Sequence, residues 1–295
     1  MSGAGLLPRL EGGSTQQMVL PPWVSVLLGV DRLVWYGFRA FEVLRDELMF
    51  AALSPSAYDR VTQSSYAGLE AYLPGGSIYA LGLFPWEIDV LRDDVFPRSG
   101  RVLLGAAGGG RELAGLLDRG YEVVAFEPNP VLVRGATDTA ASKAKAKVIE
   151  ASYADLIMAR RRGTGPLAEA VREGVFDACI LGWGSLTHVV DARQRRDLFQ
   201  TLREIAPSGP VVASFFLRAP EPASSGRSAA ARRAIRRLTA RLGRPPVADG
   251  LGFQRAGGFT YSFSKEEIVE LATTTGYRIH LLTEREFPHA VFLPA

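Results

Sequence analysis

The sequence predicts an α/β protein built on a doubly wound, mostly parallel sheet of seven strands, with helices on both faces and an N-terminal helical cap. Three observations predict it. From Arg101 onward, short apolar runs alternate with amphipathic stretches. The runs are continuously apolar rather than alternately polar, as strands covered on both faces must be. A cluster of glycines also separates the first run from the stretch that follows it.

The cap comes first along the chain. Residues 1 to 22 carry Gly, Ser, Gln and Pro with little periodicity and read as a loosely docked arm. From Trp23 to about Leu53 apolar residues recur at helical spacing, so that Leu27, Val30, Val34, Phe38, Phe41, Leu44 and Leu48 share one broad face. The helical character continues from Ala57 to Tyr72, stops at Pro74-Gly75-Gly76, and resumes near Pro85, whose fixed φ suits a first helical turn. Residues 1–97 are therefore assigned to the arm and cap, and 98–295 to the main domain.

Strand and helix then alternate. Val102–Gly105, Glu122–Phe126, Lys147–Ala151, Ala178–Leu181 and Pro210–Phe216 read as strands. Between them lie helices over Arg111–Arg119, Pro130–Lys143, near Pro166–Glu173, and over Ala192–Ile205. At about 217–258 the rhythm breaks into Pro, Ser, Gly and arginines, which reads as an insertion. Order returns with Ser264 and Glu267, a capping box for a helix through about Ala272. Gly276 then stands where a helix C-cap belongs, and Tyr277–Leu282 and Ala290–Leu293 complete the strands.

Composition excludes several classes. With 47% hydrophobic and 22% charged residues the chain is ordinary globular protein, and its formal charge of +3 does not announce a nucleic-acid binder. The lone cysteine, Cys179, forbids an internal disulfide or a multi-cysteine zinc site, so no metal is expected. The apolar run from Trp23 to Tyr36 is interrupted by Asp31 and Arg32 and falls short of the ~20 residues that span a bilayer. A cytoplasmic protein without a membrane span is expected, its oligomeric state open.

The chemistry concentrates in Arg101-Val-Leu-Leu-Gly-Ala-Ala-Gly-Gly-Gly-Arg-Glu112. Glycines 108, 109 and 110 clear side chains from the path of a ligand, directly before a helix whose first N–H groups are unpaired. The next strand ends at Glu127-Pro128, which brings a carboxylate to the same carboxyl edge of the sheet, where it can accept from both ribose hydroxyls of a nucleoside. A dinucleotide fingerprint needs a glycine at Leu113 or at Ala107, depending on register, and fails in both.

The glycine cluster, Glu127 and the strand order resemble the class I S-adenosylmethionine-dependent methyltransferases, with Gly108 and Gly110 on two of the first motif's three glycine positions. The resemblance covers about 98–216 and about 259–295, including Ser264-Lys-Glu-Glu267 and Gly276-Tyr277, and leaves out the N-terminal helices. It implies a Rossmann-like domain that binds S-adenosyl-L-methionine along Gly105, Ala106, Ala107, Gly108 and Gly110, with Glu127 and Pro128 at the ribose. Two positions depart from the pattern. Ala106 replaces the first motif glycine, and Leu104 stands where many members carry an acid.

At the end of the third strand the family's usual acid is replaced by Ser152. Ser152 and Tyr153 are preferred as the adenine contacts over Asp155, whose alternative role is to cap a helix. After the fourth strand, Gly182-Trp183-Gly184 forms a turn that in the family flanks the sulfonium and the acceptor. Trp183 either offers its ring to the sulfonium or plugs the sheet edge.

His188 is a candidate general base, with a structural hydrogen-bonding role as the alternative. Tyr261, in a segment that could wall an acceptor pocket, is the second catalytic candidate. Tyr58, Tyr66, Tyr72 and Tyr79 in the cap could roof the pocket or simply pack. The insertion's Arg227, Arg232, Arg233, Arg236, Arg237, Arg241 and Arg244, with Ile235, Leu238 and Leu242, fit a basic amphipathic helix.

The expected activity is methyl transfer by in-line displacement to oxygen or nitrogen of a small-molecule or peptide-like acceptor. RNA is the rival acceptor, through the arginine run. Two competing functions are an NAD(P)-dependent oxidoreductase, which the glycine spacing opposes, and a non-catalytic cofactor-binding protein.

Overall fold

The computed structural model of the chain describes residues 21–66, 70–141, 143–218, 226–241 and 247–295. The arm at 1–20 lies outside them, as do Leu242 and Arg244 of the insertion and the side chains of Tyr66, Arg227 and Arg233.

Three helices form the cap: α1 (Pro22–Ala52), α2 (Pro55–Tyr66) and α3 (Pro85–Arg92), with short 3-10 turns at Glu70–Tyr72 and Tyr79–Leu81. The main domain then runs β1 (Arg101–Gly105), α4 (Arg111–Leu117), β2 (Glu122–Glu127), α5 (Pro130–Ala140), β3 (Ala146–Glu150), α6 (Tyr153–Arg162), α7 (Ala168–Arg172) and β4 (Ala178–Leu181). It continues through α8 (Ala192–Ile205), β5 (Val211–Ser214), β6 (Phe216–Leu217), α9 (Gly226–Arg241), β7 (Leu251–Gln254), β8 (Gly258–Phe263), α10 (Lys265–Thr274), β9 (Tyr277–Thr283) and β10 (His289–Pro294).

Seven strands form the main sheet in the order β3-β2-β1-β4-β5-β10-β9. Within it β10 runs antiparallel to both neighbours, β5 and β9, while the pairs among β1 to β5 are parallel. The chain reverses its direction of travel across the sheet between β1 and β4, and such a switch point opens a crevice at the carboxyl ends of the strands. On one face α6, α7, α8 and α10 pack Leu156, Leu198, Phe199 and Ile268 against the sheet. On the other, α3 and α4 seal it with Trp86, Val90, Leu113 and Leu116.

Local sequence accounts for several helix starts. Asn129 caps α5, its side-chain oxygen accepting the N–H groups of Val131 and Leu132, with Pro130 at the first helical position. Ser264 and Glu267 form the anticipated capping box of α10. Ser152 and Asp155 form another at the start of α6.

Three expectations need correction. The connection after β3 holds two helices, because Ser152 and Asp155 start α6 well before the proline-marked segment that was expected to carry the helix. The run Pro210–Phe216 is split: β5 ends at Ser214, and Phe216 begins β6 in another sheet. That second sheet, β6-β8-β7, occupies part of the presumed insertion, where β7 and β8 pair antiparallel with Gly258, at φ +69°, opening β8 directly after the turn. Gly252 and Gly258 obscure the strand pattern there, since glycines are depleted in strands. The basic helix does form as α9, and Arg236 pairs with Glu47 of α1 and Asp249 rather than facing solvent alone.

The cap and the second sheet share an aromatic cluster. Phe50 of α1 and Tyr58 of α2 enclose Phe259 of β8, and the Tyr58 hydroxyl donates to the Phe50 carbonyl at 2.8 Å.

Candidate cofactor and acceptor site

A cavity of about 220 Å³ lies at the carboxyl edge of β1, β2 and β4, under the cap. Its floor is the turn after β1. There Ala106 and Gly108 take positive φ angles of 52° and 54°, and Gly110 takes 98°. The three consecutive glycines have distinct surroundings: a Cβ on Gly108 would enter open space, one on Gly109 would strike the carbonyl of Tyr72, and one on Gly110 would press Thr139 and Ala136. Gly108 thus leaves room beside the cavity, Gly109 lets the cap touch the loop, and Gly110 lets α5 pack close.

Glu127 meets this loop directly. One carboxylate oxygen accepts the Gly108 N–H at 3.0 Å and the other accepts the Asn129 N–H at 3.0 Å. Burial pushes its carboxyl up to about 7, against the lowering effect of those two N–H groups. Each oxygen keeps a further lone pair for a ligand hydroxyl.

Two more carboxylates line the cavity. Glu112 accepts the Trp183 N–H at 2.9 Å and lies 2.8 Å from Arg111. Asp59 of α2 lines the opposite side, its carboxyl raised by burial. Arg111 is the sole Lys or Arg among the described lining residues, and Glu87 grips it bidentately at 2.6 and 2.7 Å. The cavity therefore favours a cation and offers a pyrophosphate no unpaired basic side chain.

The sequence-predicted residues divide into two groups. Ala106, Ala107, Gly108, Glu127, Pro128, Ser152, Tyr153, Trp183 and His188 line the cavity. Gly105, Gly110 and Gly182 lie behind the lining. A Cβ on Gly105 would run into the rings of Tyr153 and Phe126, and one on Gly182 into the carbonyl of Ala106. Packing by itself requires glycine at Gly105 and Gly182.

After β3, the Ser152 hydroxyl donates to Asp155 at 2.7 Å, and Asp155 also accepts the Ser152 N–H at 2.8 Å. Asp155 is therefore spent on the helix cap. Tyr153 crosses Phe126 edge-on, and its hydroxyl lies 2.6 Å from that of Ser185. After β4, the Trp183 ring is set between Phe84 and Phe287, and its indole N–H is buried with no hydrogen-bond partner among the described residues.

His188 ends a 3-10 turn, Ser185–His188, with Nδ1 3.0 Å from the Phe259 carbonyl. A carbonyl only accepts, so the neutral ring carries its proton on Nδ1. Burial holds its pKa below the usual histidine value. Tyr261 stands in β8 and is not among the described lining residues; its hydroxyl donates to Glu267 at 2.6 Å and its ring is covered by Arg195 at 4.1 Å. The cap tyrosines also separate by role, because Tyr72 and Tyr79 line the cavity while Tyr58 packs in the aromatic cluster.

Several lining residues were not anticipated: Asp59, Thr62 and Gln63 on α2, Glu112 on α4, and Phe216 and Phe287 near the sheet edge. Asn129 was legible as a cap before Pro130, yet its amide also donates to the Gln63 carbonyl at 2.7 Å and so ties α2 to the loop after β2. Among the described residues no cluster of His, Cys, Asp and Glu has a metal-holding arrangement, and no helix is long and apolar enough to cross a membrane.

The strand order, with one antiparallel strand inserted between the fifth and the edge strand, defines an α/β class distinct from the all-parallel dinucleotide fold. No protein-family model and no curated protein sequence matches the chain. Among solved structures, it is similar to the 1,6-didemethyltoxoflavin N1-methyltransferase of Burkholderia thailandensis, at 16% identity and a TM-score of 0.52 over 82% of this chain and 90% of that one. It is also similar to a SAM-dependent methyltransferase of Methanosarcina mazei, at 15% identity and 0.48 over 72% and 98% of the two chains. A TehB-like SAM-dependent methyltransferase of Corynebacterium glutamicum gives 16% and 0.45 over 74% and 93%. With the strand order, the first of these likenesses establishes that the chain has the fold of the class I S-adenosylmethionine-dependent methyltransferases.

Proposed function

We propose that the chain binds S-adenosylmethionine in this cavity and transfers its methyl group to an oxygen or nitrogen atom of a small-molecule or peptide-like acceptor. The observation that carries the reading is the meeting of the Gly108 backbone with the Glu127 carboxylate at the mouth of a carboxylate-lined cavity. Glu127 would take the ribose hydroxyls, and Ser152 and Tyr153 would flank the adenine. Glu112 supplies negative charge near Trp183, where a sulfonium gains from both charge and ring face. Leu104 stands where many members of the family carry an acid, and Glu112, which accepts the Trp183 N–H, would supply that charge instead.

When bound, the cofactor supplies an activated methyl carbon, and its sulfur keeps the electron pair of the broken C–S bond. The protein's part is alignment and exclusion of water. Asp59, Gln63, Phe216 and Phe287 surround the space left for an acceptor, and this partly aromatic lining suits a small ring better than a polymer. His188, one of the lining residues, would take the acceptor's proton as the new bond forms.

Titration calorimetry with S-adenosylmethionine, S-adenosylhomocysteine, NADH and NADPH tests the cofactor reading. Binding of the first two alone is expected, and binding of a nicotinamide cofactor alone would overturn it. Formation of S-adenosylhomocysteine with a metabolite extract, and its absence with RNA, tests the acceptor class.

A further inference from the structure

Among the described residues, helix α1 is anchored at its C-terminal end and, apart from Arg255 over the Phe38 ring, exposed along the rest. Near its C-terminal end Glu47 and Phe50 are buried against the body, and Arg236 of α9 holds Glu47 at 2.9 Å. From Trp23 to Leu48, thirteen large apolar side chains stand at least 41% exposed, with Leu33 at 72% and Val34 at 64%. Aromatic side chains bury about 150–250 Å² each. Seven of the thirteen share the seam traced below, and half-exposure leaves roughly 600 Å² bare along it, comparable to the ~600 Å² per partner of the smallest stable interfaces.

The pattern on that surface specifies its occupant. Leu27, Val34, Phe41 and Leu48 recur every seventh residue, and Trp23, Val30, Gly37 and Leu44 do the same. Together they alternate at spacings of four and three, the seam of a coiled coil rather than the 3.6-residue stripe of a helix lying on a globular core. The seam faces outward even where α1 is docked, because Phe41, Leu44 and Leu48 remain exposed on the turns that bury Glu47 and Phe50. Gly37 leaves an open notch on the seam, with nothing beyond its own stretch of helix within 4 Å of its Cβ position. Lengthwise, α1 offers 31 residues, about 46 Å at 1.5 Å per residue.

Charge argues against a lipid surface. Helices that lie on anionic membranes carry Lys and Arg on the polar face. By contrast α1 carries three Arg, no Lys, and four Asp or Glu. A balanced polar face beside a heptad seam fits a protein helix of the same kind.

We infer that α1 pairs with α1 of a second copy of this chain through the seam from Trp23 to Leu48, making a helix-paired dimer. The assignment is independent of the reaction.

Light scattering on the full chain at micromolar concentration should give about twice the 31.9 kDa chain mass. The double substitution Val34→Glu and Phe41→Glu should halve that mass while a cooperative thermal transition persists. A Gly37→Cys variant should form an intermolecular disulfide under mild oxidation, since the native Cys179 is buried, and this readout decides the matter should the double variant fail to fold. Three results would overturn the assignment. One is a monomeric wild type that floats with phosphatidylcholine–phosphatidylglycerol vesicles. Another is a monomer that associates only after residues 2–20 are removed, making that segment the cover. The third is a dimer untouched by the double substitution.

Discussion

The Nδ1 atom of His188 lies 3.0 Å from the carbonyl oxygen of Phe259, a residue whose ring is enclosed by Tyr58 and Phe50 of the cap. One side chain thus links the cavity, the second sheet and the N-terminal helices. If it serves as the base, His188→Ala lowers kcat by roughly 10²- to 10⁴-fold and leaves cofactor affinity within about twofold. Unchanged turnover would make the ring purely structural.

The same burial predicts a pH response. The folded pKa of His188 lies below the ordinary 6.5, so between the two values the unfolded chain binds more protons. His188 therefore costs the fold stability as pH falls below 6.5, and replacing it with Gln flattens that part of the profile. Denaturant titrations of both proteins between about pH 5 and 7 measure the difference.

For Glu127, substitution by Ala weakens nucleoside binding by roughly 1.5 to 3 kcal/mol, as for a charge-assisted pair of hydrogen bonds. Burial raises its carboxyl to about 7, and a cationic ligand favours the ionised form. Binding should therefore release protons near neutral pH and weaken as the solution is acidified below about 7. Calorimetry in buffers of different ionisation enthalpy reads the proton count, and a count of zero would contradict this.

Ala106 occupies the left-handed region at φ 52°. A non-glycine residue there costs about 1 kcal/mol, so Ala106→Gly should raise stability by roughly 0.5 to 1 kcal/mol in urea titration. A lower midpoint would mean that the methyl group packs usefully.

Arg111 is buried between Glu87 and Glu112. Arg111→Met leaves two buried carboxylates facing one another and should destabilise the fold by about 3 to 5 kcal/mol. Adding Glu87→Gln should recover part of that loss, which thermal melts can follow.

Much of this architecture was legible because the main sheet is buried on both faces, so that Val102–Gly105 and Ala178–Leu181 declare themselves by unbroken apolarity. The glycine loop and Glu127 were legible because strand ends in such a sheet share one edge. The second sheet was not, since Gly252 and Gly258 break its pattern and only pairing with its neighbours makes it a sheet. Glu112 and Asp59 were hidden for a different reason: a carboxylate on a helix reads as solvent-facing until the tertiary fold buries it. Tyr261 looked reactive in a glycine-rich stretch, and only coordinates reveal Glu267 and Arg195 around it.

The reversed strand β10 lies between β5 and β9, although it follows both in the chain. During synthesis β5 must wait, its hydrogen-bonding edge bare, until everything between Ser214 and His289 has emerged and 289–294 can slot in. Until then the half-built sheet presents the kind of open edge on which nascent chains aggregate. Tags or truncations near that segment should therefore show up first as lost soluble yield.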